Sequence, residues 1–325
     1  MAPKTLLIYP YIKDAIPTVP IGLAYLAGML LKFGYPVKII DTIAENMDDN
    51  CLMAEIIAFK PDFIGISSMF SQYEANTLNT AYIARKSAPT AKIVLGGAHA
   101  SVNAEKILKE APFVDYVVQG EGERAILDIV DGWARPGIVH LPYIQDLDML
   151  PLPARNLLPM DKYFSFRSPY VLRNPAATLI SSRGCPKHCI YCNIHSVWGD
   201  EWRKRSAKSV VDEIEQLQAE YGIKEIQFSD DNVSADPKRM NEICDELIKR
   251  DLGIKWCTPT GIALWTLNKD LIKKMKRAGC YRLTFGIESG SAKMQKYIRK
   301  KSEIIGLRHM IMILYWNLWA ISLCK

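Results

Sequence analysis

The sequence predicts an α/β protein built from two parallel sheets, one in each half of the chain. Short β-rich runs alternate with longer helical runs from residue 4 to about 132 and again from residue 176 onward. A proline-rich stretch at 136–175 separates the two series. Alternation without hairpins is typical of parallel sheets covered by helices. With 325 residues, the chain is also long enough for two domains.

The first series predicts a doubly wound, Rossmann-like parallel sheet. Four of the five strand runs end at a Gly, Ser or Asp, the small and polar residues that suit the ligand-binding edge of such a sheet. The strand runs are KTLLIY, VKIID, DFIGIS, KIVLGG and DYVVQG, and the helical runs lie at 20–34, 51–59, 74–88, 103–110 and 122–133.

The second series predicts a partial TIM-like (β/α) barrel with its active site at the carboxyl ends of the strands. Its strands are AATLISS, EIQFSD, IKWCTP and YRLTFGIES, and its helices lie at 207–221, 237–250, 268–278 and from 291 onward. The predicted domains are therefore a Rossmann-like domain at 1–135, a proline-rich linker at 136–172 and the partial barrel at 173–325.

The end of the chain departs from this pattern. Residues 302–325 are atypically apolar and have no polar helix face. As a helix, residues 310–324 would span about 22 Å, less than the roughly 30 Å of a bilayer core. The sequence leaves two interpretations open, a barrel that is truncated at its C-terminal end and a membrane contact.

Composition favours an ordered protein and narrows its partners. Hydrophobic residues make up 49% of the chain and charged residues 23%, so a sizeable core is expected. The excess of six positive charges is scattered along the sequence, which disfavours nucleic acid as a partner. The apolar run near the N-terminus is too short for a signal peptide, and the expected location is cytoplasmic.

The strongest chemical signal is a cysteine cluster that follows a predicted strand. Cys185, Cys189 and Cys192 form a CxxxCxxC run. In a reducing compartment, clustered thiols indicate metal ligands. Three thiolates can hold three irons of a [4Fe–4S] cluster and leave the fourth iron open to a small molecule. Structural zinc with His188 or His195 as fourth ligand is the alternative, although these spacings do not match a two-pair zinc site.

The CxxxCxxC run, with Tyr191 directly before its last cysteine, resembles the hallmark of the radical S-adenosylmethionine (SAM) superfamily. The wider pattern is similar to the cobalamin (B12)-binding branch of that superfamily. The resemblance implies that the open iron chelates the amino and carboxylate groups of SAM. It also implies that an electron from the reduced cluster splits the sulfonium to give a 5′-deoxyadenosyl radical.

The same resemblance extends to the ends of two barrel strands. Asp230 and Asp231 match the segment that holds an ammonium group, although either could cap the next helix instead. Glu288, Ser289 and Gly290 match the stretch that reaches the ribose and methionyl part of SAM. Tyr191 would pack near the adenine, unless it merely fills the core.

The first domain resembles the cobalamin-binding domain that precedes such barrels. Glycines at strand ends would let a large flat ring or its nucleotide tail approach the backbone. His99 could instead cap the following helix, and no Asp-x-His-x-x-Gly run is present to place a histidine on cobalt. The matching positions are Ser67, Ser68, Gly96, Gly97, His99, Gly120, Glu121 and Gly122.

The family resemblance implies an enzyme that uses cobalamin to methylate a carbon or phosphorus centre of a small molecule. Related members instead carry out oxidative cyclisation or ring contraction, and the sequence leaves these outcomes open. A truncated, catalytically inactive cofactor-binding protein is the hypothesis from another class, supported by the apolar tail. Methylthiolating enzymes need three more cysteines in the first domain, which holds only Cys51. The implied partner is an electron donor such as flavodoxin or ferredoxin.

Overall fold

The computed structural model describes residues 2–165 and 171–300, and the backbone of 320–324. These residues form two compact units, each with its own parallel sheet. The first unit comprises Met1–Ile144, Met149–Phe166 and Ser196–Trp198, and the second comprises Gln145–Asp148, Arg167–His195 and Gly199–Lys325.

The first unit contains a parallel sheet of six strands in the order β2-β1-β3-β4-β5-β6. The strands are β1 (Thr5–Tyr9), β2 (Val37–Asp41), β3 (Phe63–Ser67), β4 (Lys92–Gly96), β5 (Tyr116–Gln119) and β6 (Gly137–His140). The helices between them are α1 (Ile21–Lys32), α2 (Asp49–Phe59), α3 (Glu74–Ser87), α4 (Ala98–Glu110) and α5 (Gly122–Val130). The predicted doubly wound sheet is confirmed, and α4 begins five residues earlier than its pattern indicated.

The central strands of this sheet are apolar because helices cover both of their faces. Leu6 and Ile8 on β1, and Ile64 and Ile66 on β3, are all at most 2% exposed. Strands that are buried on both faces have continuous apolar runs instead of an alternating pattern. This core leaves the carboxyl edge of the sheet, where the loops are rich in Gly and Ser, as the place for a ligand.

Part of the predicted linker belongs to the first unit. It supplies β6 and, further along, the short helix α6 (Met160–Ser165). The hydroxyl of Tyr163 donates to Asp41 Oδ2 at 2.7 Å, and both residues are buried. Asp41 Oδ1 also accepts from the backbone N–H groups of Ile43 and Ala44, at 3.0 and 3.1 Å. The chain after β6 is therefore fastened to the carboxyl end of β2.

We expect Tyr163→Phe to lower the free energy of unfolding of the first unit by about 1–2 kcal/mol, because the buried Asp41 carboxylate loses one donor. Hydrogen exchange of the β1 and β2 amides would report the loss. Tyr35→Phe is the matched control, since Tyr35 bonds Asp131 at an exposed position. Equal protection in the two variants would contradict the expectation.

The second unit contains a sheet of five parallel strands in the order β13-β12-β11-β10-β7. They are β7 (Ala176–Leu179), β10 (Glu225–Phe228), β11 (Lys255–Thr258), β12 (Cys280–Gly286) and β13 (Ala320–Cys324), and a short antiparallel pair is formed by β8 (Ser182–Arg183) and β9 (Arg203–Lys204). The helices are α7 (His195–Trp198), whose residues are shared between the two units, α8 (Ala207–Tyr221), α9 (Pro237–Arg250), α10 (Lys269–Arg277) and α11 (Ala292–Tyr297).

Local sequence signals explain where the long helices of this unit begin and end. Ser206 caps α8 by accepting from Ser209 N, and Gly222 ends it with a left-handed φ of 63°. Asp236 caps α9, whose first residue is Pro237. Caps and a first-turn proline satisfy or remove the free N–H groups of a helix start. The predicted bounds of both helices, 207–221 and 237–250, are confirmed.

The apolar end of the chain supplies a strand that was not predicted. Ala320–Cys324 pairs in parallel with β12, from Arg282 opposite Ala320 to Gly286 opposite Cys324. The second unit thus has a fifth parallel strand where the sequence indicated four. Residues 301–319 lie outside the described residues, and so does most of the segment considered for a membrane contact. Among the helices that the structure describes, none is long and apolar enough to cross a bilayer.

A buried arginine holds together the loops at the carboxyl side of the second sheet. Arg239 on α9 is 2% exposed. Its guanidinium donates to three backbone oxygens, those of Arg205 at 2.7 Å, Ser181 at 2.7 Å and Val233 at 3.3 Å. Arginine suits this role because its planar guanidinium group carries five N–H donors.

Candidate functional site

A cavity of about 300 Å³ lies at the carboxyl ends of the strands of the second unit. Five chain segments line it: the cysteine loop after β8, the end of β10, the loop after β11, the end of β12 and the residue Lys300 after α11. This is where parallel α/β folds bind their ligands. The lining residues used below are Cys185, Lys187, Cys189, Tyr191, Cys192, Asp231, Asn232, Thr260, Trp265, Glu288 and Lys300.

The cavity brings the three cysteines of the CxxxCxxC run together. All three thiols are free; Cys185 and Cys189 are half-buried, and Cys192 is exposed. The loop is held by backbone hydrogen bonds from Cys192 N to Cys189 O at 3.0 Å and from Ile190 N to Ile298 O at 3.2 Å. The loop therefore has a defined shape that comes from the protein's own hydrogen bonds.

His195 fixes the first turn of this loop. Its Nε2 donates to the backbone oxygen of Lys187 at 2.8 Å, and its Nδ1 lies 3.2 Å from both Gly199 O and Asp200 Oδ1. The ring of His188 stacks on it with centroids 4.2 Å apart. Both ring nitrogens of His195 thus face oxygen atoms, so the residue positions the loop instead of presenting a free nitrogen to a metal.

The two histidines considered as a fourth zinc ligand lie close together beside the cysteine loop. The possible ligand atoms of His188, His195 and Asp200 all lie within 4.8 Å of one another. His188 and Asp200 are exposed, whereas both ring nitrogens of His195 face oxygen atoms.

The two aspartates after β10 occupy different environments. Asp230 is 1% exposed, and its carboxylate accepts from Ser181 N at 2.9 Å, Ser181 Oγ at 2.8 Å and Ser182 Oγ at 2.7 Å. Burial raises the pKa of Asp230, and the charge of Arg239 and the seryl donors oppose that rise. Asp230 lies outside the cavity lining, whereas Asp231 is part of it. Asp230 thus joins β10 to the β7–β8 turn, and Asp231 is the carboxylate that a ligand could meet.

The pKa of Asp231 is raised from 3.8 to about 6, mainly by partial desolvation of its carboxyl group at the cavity wall, although the residue as a whole is exposed. The N–H of Gly184, at 3.3 Å, opposes the rise. The folded state holds a proton here more tightly than the unfolded state, so the protein gains stability as pH falls from about 6 towards 3.8. Above that window the ionised form costs stability, unless a cation is bound beside it.

We expect Asp231→Asn to stabilise the cofactor-free protein above about pH 6 by at most about 1 kcal/mol, since the open cavity lets solvent screen part of the effect. Urea unfolding at pH values from 3.8 to above about 6 would measure this difference in stability. Asp245→Asn, which removes a carboxylate from the exposed face of α9, is the control. The same pH dependence in all three proteins would contradict the assignment.

The end of β12 presents a second carboxylate to the cavity. Glu288 has a left-handed φ of 62°, unusual for a residue with a side chain. Lys300 Nζ lies 3.4 Å from Glu288 Oε1 and 3.1 Å from the hydroxyl of Tyr191. Ser289 and Gly290 follow in the turn and lie outside the lining. Gln295 holds that turn by donating to Ile287 O and Ser289 O, both at 2.6 Å.

Several lining residues were not among the predicted site residues. Lys187 lies inside the CxxxCxxC run, and its ammonium sits 4.6 Å from the ring centroid of Trp265. Asn232 directly follows the two aspartates, and Thr260 donates its hydroxyl to Asp230 O at 2.8 Å. Lys187 and Asn232 could have been predicted, because they lie inside or next to a predicted motif. Trp265 and Lys300 lie far along the chain and carry no local pattern.

The predicted cobalamin positions of the first unit lie at the carboxyl ends of β3, β4 and β5. Ser68 is buried, its N–H bonds Gly96 O at 2.7 Å, and its carbonyl accepts from His99 N at 3.0 Å. Gly97 has φ 115°, and a Cβ there would lie 2.7 Å from Ser68 O. Glycine is thus required for the β3 and β4 loops to touch.

The loop after β5 is fixed in a similar way. Gly120 has φ 84°, and its N–H donates to Ser101 Oγ at 3.0 Å. Glu121 is 6% exposed and accepts from Ile144 N at 2.6 Å. Gly122 begins α5, where a Cβ would lie 2.9 Å from Leu26 Cδ2. Gly120, Glu121 and Gly122 therefore have structural roles at the carboxyl edge of the first sheet.

His99 lies in the first turn of α4 and is 4% exposed. Asn103 Nδ2, which can only donate, lies 3.1 Å from His99 Nδ1, so Nδ1 accepts and Nε2 carries the proton. Ser71 Oγ also contacts Nδ1, at 2.8 Å, and Glu74 Oε1 lies 3.3 Å from Nε2. Nδ1 thus has hydrogen-bond partners within the unit, whereas Nε2 is buried beside Glu74 and makes no hydrogen bond among the described residues.

The same edge has features that fit a large, partly apolar ligand. Met69 and Phe70, directly after Ser68, are 43% and 52% exposed. A Cβ on Gly96 would stand 3.7 Å from its nearest neighbour, Val118 Cβ, so no side chain crowds the backbone there. Apolar side chains beside open, hydrogen-bonded backbone would fit a macrocycle with an amide-bearing rim.

Comparisons with known proteins agree with both units. The family model described as the B12 binding domain matches residues 14–130, and that of the radical SAM superfamily matches residues 179–304. An uncharacterized methyltransferase of Pyrococcus horikoshii is 35% identical over 322 residues, covering 91% of this chain and 68% of the relative. The cytidylyl-2-hydroxyethylphosphonate methyltransferase of Streptomyces wedmorensis is 34% identical over 343 residues, covering 87% of this chain and 64% of the relative.

The fold also matches a solved structure. The cobalamin-dependent SAM radical enzyme OxsB, with aqua-cobalamin bound, superposes with a TM-score of 0.79 at 19% identity, covering 99% of this chain and 48% of that one. The chain thus spans about half to two thirds of the length of these proteins. The predicted SAM and cobalamin agree with the two matched family models. A solved structure of the radical SAM methyltransferase TsrM from Kitasatospora setae, with a TM-score of 0.77 at 16% identity, contains cobalamin and a [4Fe–4S] cluster. On the two matched domains and the shared sequence, the chain belongs to the radical SAM enzymes that carry a B12-binding domain.

Proposed function

We propose that this chain acts as a cobalamin-dependent radical SAM methyltransferase on a small molecule. The observation that carries the proposal is the cavity of the second unit. Three free thiols share it with two carboxylates, Asp231 and Glu288, that come from two different strand ends. A cluster-binding loop next to acidic groups suits a ligand that carries both an ammonium and a sulfonium charge.

The cysteines are proposed as the ligands of the cluster, and the surrounding residues as its support. Cys185, Cys189 and Cys192 would bind iron, while His195 keeps the loop in shape through Lys187 O. When bound, the cluster supplies the electron that cleaves SAM, and cobalamin supplies the methyl group. The electron would come from a donor such as flavodoxin or ferredoxin.

The proposed SAM contacts are Asp231, Glu288 and Tyr191. Asp231 ionises fully when a positive group lies beside it, which offsets the cost of its burial. Lys300 neutralises Glu288 in the cofactor-free protein, and a bound cation would take over that role. The other predicted positions act indirectly: Asp230 fixes the strand end that carries Asp231, and Ser289 and Gly290 shape the turn after Glu288.

The proposed cobalamin site is the carboxyl edge of the first sheet. Its contacts are Ser67, Ser68, Gly96, Gly97, His99, Gly120, Glu121 and Gly122. The backbone N–H of His99 would support the Ser68–Gly97 contact. Since the chain has no Asp-x-His-x-x-Gly run, bound cobalamin would lack the histidine ligand of that motif. Met69 and Phe70 would meet the apolar face of the corrin.

The test is anaerobic reconstitution of the chain with iron, sulfide and hydroxocobalamin, followed by SAM and dithionite. We expect bound iron and cobalamin, 5′-deoxyadenosine, and transfer of the labelled SAM methyl group to cobalamin. Cys189→Ala should lose iron and deoxyadenosine, whereas Cys51→Ala, on the exposed side of α2, should retain both. Absence of iron in the unaltered chain would refute the cluster assignment. Iron without deoxyadenosine would identify a cofactor-binding protein, and deoxyadenosine without methyl transfer would favour another radical outcome, such as cyclisation.

A further inference from the structure

Asn232 is a buried amide at the edge of the cysteine loop. It follows Asp231 at the end of β10, lines the cavity and is 3% exposed. Its backbone oxygen accepts from the indole Nε1 of Trp202 at 3.0 Å and from Ala235 N at 3.4 Å. The backbone of Asn232 is therefore fixed, and this limits where its side chain can point.

The side chain of Asn232 directs its donor at a cysteine. Nδ2 lies 3.9 Å from Cys185 Sγ, which is within reach of a hydrogen bond to sulfur. Among the described residues, Oδ1 is buried and has no hydrogen-bond partner. A buried amide with half of its capacity unused costs folding free energy, so its presence calls for a reason beyond packing. An apolar residue of similar size would fill the same space at less cost.

Cys185 is shielded enough from solvent for such a donor to have an effect. It is half-buried, as Cys189 is, whereas Cys192 is exposed, so solvent screens an interaction with Cys185 less than one with Cys192. Hydrogen bonds to the sulfurs and solvent exposure both set the reduction potential of an iron–sulfur cluster. Donors stabilise the reduced, more negative state and therefore raise the potential.

We propose that Asn232 is a positioning residue that raises the reduction potential of the cluster by donating an N–H to the sulfur of Cys185. The inference rests on the proposed function, since it needs a cluster on the three cysteines. Asn232 contacts a cluster ligand, Cys185, and does not contact the reacting atoms. Asn232 thereby makes the cluster easier to reduce by the one-electron donor.

The test is a redox titration of the reconstituted chain, followed by the visible absorption of the cluster. In Asn232→Leu, which keeps the size and removes the donor, we expect the ratio of reduced to oxidised cluster at a fixed solution potential to fall about tenfold. For a one-electron couple this is a shift of about 59 mV to more negative potential. Asn241→Leu removes an amide that bonds Pro237 O on α9, away from the cysteines, and should leave the potential unchanged.

Each outcome of the titration bears on either Asn232 or the cluster. Bound iron in the unaltered chain with an unchanged potential in Asn232→Leu overturns the role of Asn232 and leaves the cluster assignment intact. Absence of iron in the unaltered chain refutes the proposed function itself. If Asn232→Leu does not fold, Asn232→Ser is used, since its hydroxyl is too short to replace the amide at Cys185. The reduction potential of the cluster in Asn232→Ser must then be lower by about the same 59 mV.

Discussion

Replacing Gly279 by alanine is expected to destabilise the second unit by at least about 3 kcal/mol. Gly279 precedes β12 with φ 101°, and an added Cβ would lie 2.2 Å from Ile254 O. The clash is with backbone, which cannot move aside as a flexible side chain could. The left-handed conformation adds about 1–2 kcal/mol of strain for any residue with a Cβ. Two independent penalties therefore fall on one methyl group.

Gly253 provides the matched control for this prediction. It precedes β11 as Gly279 precedes β12, and it has φ 63°, but no atom lies within 4 Å of an added Cβ. Gly253→Ala should therefore cost only about 1 kcal/mol. Urea unfolding can be followed by hydrogen exchange of the β11 and β12 amides, which report on the second unit. Equal losses in the two variants would show that the backbone clash is relieved.

Arg239→Met is expected to lower the free energy of unfolding of the second unit by about 3–5 kcal/mol. The variant removes a donor from three buried carbonyl oxygens, of which Ser181 O keeps the N–H of Arg205 at 2.9 Å. It also removes the positive charge that compensates Asp230. A buried charge that loses its partner is far more costly than an exposed one. Because Asp230 fixes the strand end that carries Asp231, binding of SAM should weaken as well.

Lys249→Met tests whether charge loss on α9 is sufficient to explain that effect. Lys249 lies on the same helix, and its side chain is 78% exposed beside Glu246. Removing an exposed ion pair of this kind changes stability by at most about 0.5 kcal/mol. Urea unfolding compares the two variants, and similar losses would contradict the interpretation of Arg239 as a buried tie between loops.

The elements of both sheets could be predicted because their sequence patterns are local. Buried parallel strands are continuous apolar runs, and helices such as α8 and α9 have caps within a few residues of their ends. The fifth strand of the second unit was missed because no local pattern identifies it as a strand. Its residues, Ala320–Cys324, are apolar like a buried helix, and only pairing with β12 decides their structure.

The cysteine loop could be predicted because the spacing of its cysteines is itself a motif. The roles of the residues around the loop could not be predicted. Asp230 and Asp231 are adjacent and chemically identical, and only the direction of each side chain separates a structural carboxylate from one that lines the cavity. Lys300 meets Tyr191 across 109 residues of sequence. Contacts of this kind depend on how the strands are assembled, which no local pattern records.

The hydrogen bonds within the cysteine loop have a consequence for how the metal site is assembled. In a small zinc domain, metal binding and chain folding are one event, because the free peptide is unstructured. Here Ile190 N joins the loop to Ile298 O, and Cys192 N and His195 Nε2 bond the loop oxygens of Cys189 and Lys187. A loop held by such hydrogen bonds loses less conformational entropy on binding iron and sulfide than an unstructured peptide does. Less of the binding free energy is therefore used to order the chain.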